Sequence, residues 1–155
     1  MSMNPSFHSL LEKVREIVES PQQRTDKLGA LCTLLRDSVP HYDWVGFYLV
    51  DDLEAQTLVL GPFAGEPTEH VKIPFGKGIC GQAAETRETF IVQDVTQESN
   101  YLSCSPKVKS EIVVPILKEG QIIGELDIDS HVFAPFSDED RLFLERVCEL
   151  VSALF

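Results

Sequence analysis

Two cysteines and three carboxylates carry whatever chemistry this chain performs. Cys80 and Cys104 lie 24 residues apart. Glu111, Asp127 and Asp129 follow them on apolar, strand-like runs, SEIVVPI and GELDIDS. A thiol that can attack, a second that can resolve it, and acids in an apolar setting are the parts of a thiol redox site. Aspartate is depleted in strands, and two at i and i+2 on one face repel each other. A solvated edge would explain them cheaply; on a covered face their cost points to cation binding or proton handling.

The surroundings of each cysteine refine this. Cys80 lies in GKGICGQAAET, a glycine-rich turn leading into a short helix. The pattern is not a phosphate loop, because G-x-x-x-x-G-K-[ST] is absent. In the first helical turn, unpaired N–H groups favour a thiolate; packed beside Ala83 and Ala84, the same residue is a small buried hydrophobe. Cys104 lies in the polar stretch from Asp94 to Lys109, long for a loop and so of functional interest. Lys107 and Lys109 are placed to favour a thiolate there. Cys32 and Cys148 fall on apolar helix faces and read as core.

Composition bounds the partners. The 155 residues carry a formal charge of −12, which disfavours nucleic acid and anionic membrane surfaces. The N-terminal residues lack the basic start and apolar stretch of a signal peptide, and no apolar run is long enough to span a membrane. A cytoplasmic protein with reduced thiols is expected. The cysteines show no CxxC and the four histidines are scattered, so neither a metal nor another cofactor is expected.

The elements that must position these residues alternate in kind. Pro5 to Glu19 has helical period, with Leu10, Leu11, Val14, Ile17 and Val18 on one face. A second helix begins near Thr25 or Asp26 and ends at Val39-Pro40. Trp44 to Val50 is a strand apolar on both faces. Its Trp44 and Tyr48 are either core or one wall of a pocket. Short strands follow at Thr57–Leu60, Val71–Ile73 and Glu88–Val92. Glu111–Leu117 and Ile122–Ser130 form a hairpin about KEGQ. Ser137 caps a last helix. One domain over residues 1–155 is expected, with an N-terminal helix in 1–24 and a core in 25–155. Its class is α+β, a mainly antiparallel sheet with helices packed on one side.

W-x-G-F-Y (Trp44 to Tyr48), L-x-L-G-P-F-x-G-x-P (Leu58 to Pro67), I-P-F-G-K-G-I-C-G (Ile73 to Gly81), S-E-I-V-V-P-I and G-E-L-D-I-D-S resemble the GAF-domain proteins. They resemble most the free methionine-(R)-sulfoxide reductases, over roughly residues 28 to 155. The resemblance implies a six-stranded sheet, a homodimer and thioredoxin as reductant. It gives Cys104 the nucleophile's place and Cys80 a resolving place. Trp44 and Tyr48 line the pocket, and Glu111, Asp127 and Asp129 bind the substrate. His70 stands where many members have a further cysteine, and Asn100 to Pro106 differs from their G-H-I-A-C-D-A. The competing readings are a GAF small-molecule sensor without chemistry and a thiol redox switch.

Overall fold

In the computed structural model, residues 5–102 and 105–155 are described. The helices are α1 (Pro5–Glu19), α2 (Arg24–Ser38), α3 (Gly78–Thr86) and α4 (Asp138–Ser152). The strands are β1 (Trp44–Val50), β2 (Thr57–Ala64), β3 (Lys72–Pro74), β4 (Phe90–Val92), β5 (Ser110–Lys118) and β6 (Gln121–Ser130). They form one six-stranded sheet in the order β3-β2-β1-β6-β5-β4, every pair antiparallel. The α+β class and the six strands are as expected.

Strand alternation divides the sheet into two faces. Val45 and Phe47 of β1, Ile112 and Val114 of β5, and Leu126 and Ile128 of β6 point to one side. There they pack against the apolar faces of α1, α2 and α4, with Phe7 of α1 stacked on Phe143 of α4 at 4.6 Å. Each of these strand residues is at most 2% exposed, so cutting one back to alanine costs roughly 2–5 kcal/mol. The three long helices therefore share one side, as the amphipathic patterns require. The short α3 differs, covering the opposite face together with Trp44, Tyr48 and Val113.

Local chemistry fixes the ends and bends. Glu119 and Gly120 have φ of 53° and 77° in the β5–β6 turn, the pair of positive values that a tight hairpin turn requires. β2 runs four residues beyond the expected Leu60, because Gly61 and Pro62 form a bulge. Gly46 pairs with Phe63 and Tyr48 with Leu60, so two residues of β2 oppose Phe47 alone. A bulge tolerates the missing proline N–H. At the start of α4, Ser137 and Asp140 form a capping box. The buried Asp140 carboxylate also accepts from Tyr42 Oη at 2.7 Å and contacts His41 Nε2 at 2.8 Å. These hydrogen bonds outweigh the cost of burial and hold its pKa at about 2.

Candidate active site

The register of the central strands assembles the acids. Asp129 stands opposite Glu111 of β5 on one side and Trp44 of β1 on the other. Asp127 stands between Gly46 and Val113, and Tyr48 faces Glu125. All four carboxyls are on the face covered by α3, and all are buried. Glu111, Asp127 and Asp129 are thus together, as the sequence predicts. Glu125 joins them as a fourth member. Its place on the face of Asp127 and Asp129 was legible, but its complete burial comes from packing beneath α3.

Cys80 enters this group from α3. Its thiol donates to Glu111 Oε2 at 3.9 Å. Donor atoms of Cys80, Glu111 and Asp127 all lie within 4.8 Å of one another, close enough to share a proton or a cation. No sequence spacing announces this trio, since its members come from α3, β5 and β6. Among the described residues, both carboxylate oxygens of Glu125 and of Asp129, and Oδ1 of Asp127, have no hydrogen-bond partner within ordinary distance. Buried polar atoms in native folds nearly always have partners. Five such oxygens on one face mark a site adapted to something other than stability.

The electrostatics correct one expectation. Cys80 does lie in the first turn of α3, but no thiolate is favoured there. Burial pushes its pKa well up, and the negative charges of Asp127, Glu125, Glu111 and Asp129 push it further. A helix N-terminus offers only about half a positive charge and cannot offset dehydration amid four acids. The carboxyls respond likewise. Burial raises Asp127, with hydrogen bonds to Glu111 and Cys80 opposing part of the rise. Burial and then the charge of Asp127 raise Asp129 and Glu125 well above the ordinary range. Both shifts favour the neutral acid over the carboxylate.

Two cavities flank the acids. One, a small hollow of about 10 Å³, is lined by Tyr48, His70, Gly78, Cys80, Leu102 and Asp127. The other, of about 80 Å³, is lined by Trp44, Glu66, Ser105, Asp129 and His131 among others. Trp44 and Tyr48 are both core and wall. Their rings tilt together at 6.5 Å, while Trp44 Nε1 donates to the Glu66 carbonyl and Tyr48 Oη to the His70 carbonyl. Those bonds tie the β2–β3 loop over the site. His70, which stands where many members of the resembled family have a further cysteine, lines the smaller cavity.

Cys104 and Ser103 lie outside the described residues. The segment before them is anchored by Asn100. Its Oδ1 accepts from the Gly78 amide at 2.9 Å, and its Nδ2 donates to the Gly76 carbonyl at 2.8 Å. Asn100 was quoted in the sequence only as part of a divergent motif; its side-chain fork gives it a positioning role. The two lysines after Cys104 are otherwise engaged. Lys107 pairs with Glu66 at 3.2 Å, and the Lys109 ammonium sits over the Phe133 ring. Cys32 and Cys148 are buried away from the acids, and dehydration raises both their pKa values.

Known proteins share this arrangement at the level of sequence and fold. Residues 25–154 match the GAF domain. The chain is 43% identical over 111 residues to the free methionine-R-sulfoxide reductase of Saccharomyces cerevisiae, covering 71% of this chain and 61% of the yeast protein. That span is less than two thirds of the yeast protein. The chain is 42% identical over 120 residues to the enzyme of the same name from Escherichia coli, covering 77% of this chain and 70% of that protein. Among solved structures, the free methionine-R-sulfoxide reductase of Neisseria meningitidis in complex with its substrate superposes with a TM-score of 0.91. It is 33% identical, with 100% of this chain and 92% of that chain covered. The chain belongs to the GAF-domain family and, within it, to the free methionine-R-sulfoxide reductases. Among the described residues, no helix is long and apolar enough to cross a membrane.

Proposed function

We propose that this protein reduces free L-methionine (R)-sulfoxide to L-methionine. The observation that carries the reading is the buried cluster of Cys80, Glu111, Asp127 and Asp129, with unpartnered oxygens beside two cavities, in a chain of this family. In the proposed cycle the Cys104 thiolate attacks the sulfoxide sulfur. A neutral carboxylic acid, Glu111 or Asp129, gives its proton to the sulfoxide oxygen. The sulfur–oxygen bond of the substrate breaks, methionine leaves, and Cys104 holds the oxygen as a sulfenic acid. The Cys80 sulfur then displaces that oxygen as water and forms a disulfide. Cys80 must lose its proton to attack, and the Glu111 carboxylate at 3.9 Å is the acceptor at hand. An external dithiol, thioredoxin on this reading, reduces the disulfide by exchange.

The remaining roles concern recognition. A carboxylate, Asp127 in this scheme, pairs with the substrate ammonium. A methionine inside a peptide has no ammonium there, so the free amino acid is preferred. Trp44 and Tyr48 pack on the side chain. The chain neighbours of Cys104 support its assignment, since Leu102 lines one cavity and Ser105 the other. The same reading has the protein working as a cytoplasmic homodimer.

The test offers the separate R and S epimers of free methionine sulfoxide to wild-type protein and to Cys104→Ser, with dithiothreitol and with thioredoxin. Loss of the R epimer alone, dependent on Cys104, is expected. If folded, reduced protein consumes neither epimer, the reading gives way to a ligand-binding GAF module.

A further inference from the structure

The geometry points to a divalent transition-metal site at Cys80, Glu111 and Asp127, which takes up Zn²⁺ and excludes substrate while it does so. The metal site itself does not rest on the reductase reading, because it concerns binding alone; the competition with substrate does rest on it.

Three features carry it. The first is spacing. Tetrahedral zinc with a sulfur at about 2.3 Å and a carboxylate oxygen at about 2.0 Å sets the two donors roughly 3.5 Å apart. Cys80 Sγ and Glu111 Oε2 are already 3.9 Å apart, and the Asp127 donor lies within 4.8 Å of both. The second is an oxygen with nothing to bind. Asp127 is 1% exposed and its Oδ1 has no partner, which a coordinate bond would supply. The third is room of the right size, a hollow of about 10 Å³ that all three residues line, enough for an ion or one water.

The donor set selects the ion. One sulfur and two carboxylates are too few oxygens for Ca²⁺ and too soft for Mg²⁺. Zinc accepts thiolate and carboxylate donors alike, and three protein ligands leave its fourth position for water. A bound ion offsets the repulsion among the carboxylates and takes Cys80 as a thiolate. It occupies the groups assigned above to substrate binding and disulfide formation. Zinc and free methionine sulfoxide therefore compete, and a chelator reverses the block.

The experiment titrates Zn²⁺ into reduced, full-length protein against a chromophoric chelator. One Zn²⁺ per chain is expected, with affinity falling more than about 10-fold in Cys80→Ser and in Asp127→Asn, each checked for folding by circular dichroism. Wild-type protein loaded with Co²⁺ supplies a reading independent of those variants. A sulfur-to-cobalt charge-transfer band is expected, kept in Cys32→Ser and Cys148→Ser, and bleached by free methionine sulfoxide. Absence of stoichiometric binding, affinity unchanged in both site variants, or a cobalt spectrum without the sulfur band would each overturn the site. Failure of zinc-free protein to turn over the R epimer would overturn the reductase reading and leave this one standing.

Discussion

Asp140 and Asp127 are both buried aspartates, and the fold treats them in opposite ways. Asp140 accepts from Tyr42 and from the Ser137 amide and hydroxyl, and meets His41; its pKa falls to about 2. Asp127 has an oxygen without a partner and three more carboxyls on its face, and its pKa rises. Burial alone therefore does not decide the charge of a carboxyl; the count of donors around it does. On the helix-covered side an acid closes a helix end and holds a loop. On the α3 side acids are left unsatisfied, at a cost in stability, and that cost suits a site that must receive a ligand.

Substitutions at the two aspartates sharpen the contrast. Asp127→Asn and Asp129→Asn each remove a carboxyl whose charged form is poorly tolerated and which the proposed function needs. Turnover of the R epimer should fall roughly 100- to 1000-fold, while the thermal midpoint rises. A midpoint that drops in both variants would show the acids to be structural after all. Asp140→Asn should do the reverse. Its loss leaves the donors of Tyr42 and Ser137 without a charged acceptor, costing about 3 kcal/mol by denaturant titration with the rate per folded molecule unchanged.

Acid titration separates the two sites by sign. The folded pKa of Asp140 is depressed, so its contribution is present above pH 4 and lost as pH falls towards 2. It amounts to at most about 2 kcal/mol. Asp127, Asp129 and Glu125 have raised folded pKa values, so the folded state binds more protons than the unfolded chain just above pH 4. There stability falls as pH rises. Stability profiles should flatten below pH 4 in Asp140→Asn and above pH 4 in the Asp127→Asn, Asp129→Asn double variant. The opposite assignment of slopes would refute the comparison.

A smaller effect tests the wall rather than the acids. A Cβ at Gly46 would come within 2.3 Å of the Trp44 indole, so Gly46→Ala must displace that ring from its stack on Phe63. An increase in KM of about 10-fold with kcat little changed is expected, from weakened binding of an apolar side chain. An unchanged KM would remove Trp44 from the pocket.

Much of this was legible in the sequence. The span of α1, the span of β1 and the cap of α4 followed from periodicity and from Ser137. The common face of Glu125, Asp127 and Asp129 followed from the two-residue period; that Glu111 shares it comes from the β5–β6 register. Other features depend on distant parts of the chain. Whether Cys80 is thiolate or thiol turns on four carboxyls from β5 and β6, and no local pattern near GICG reports them. The length of β2 turned on a bulge opposite Phe47. The fork of Asn100 appears only once α3 is docked beside it.

Gly76 and Gly81 settle how firmly the Cys80 sulfur is held. The Gly76 amide donates to the Gly81 carbonyl at 2.8 Å and the Gly81 amide to the Lys77 carbonyl at 2.9 Å. A Cβ on Gly81 would meet the Pro74 carbonyl at 2.6 Å. The end of β3 and the first turn of α3 are thus clasped backbone to backbone, and Cys80 is carried on the clasp. A disulfide needs its two Cα atoms within about 7 Å, and this one cannot advance without opening the joint. Cys80 is a fixed post, and the joint beneath it sets where its sulfur stands.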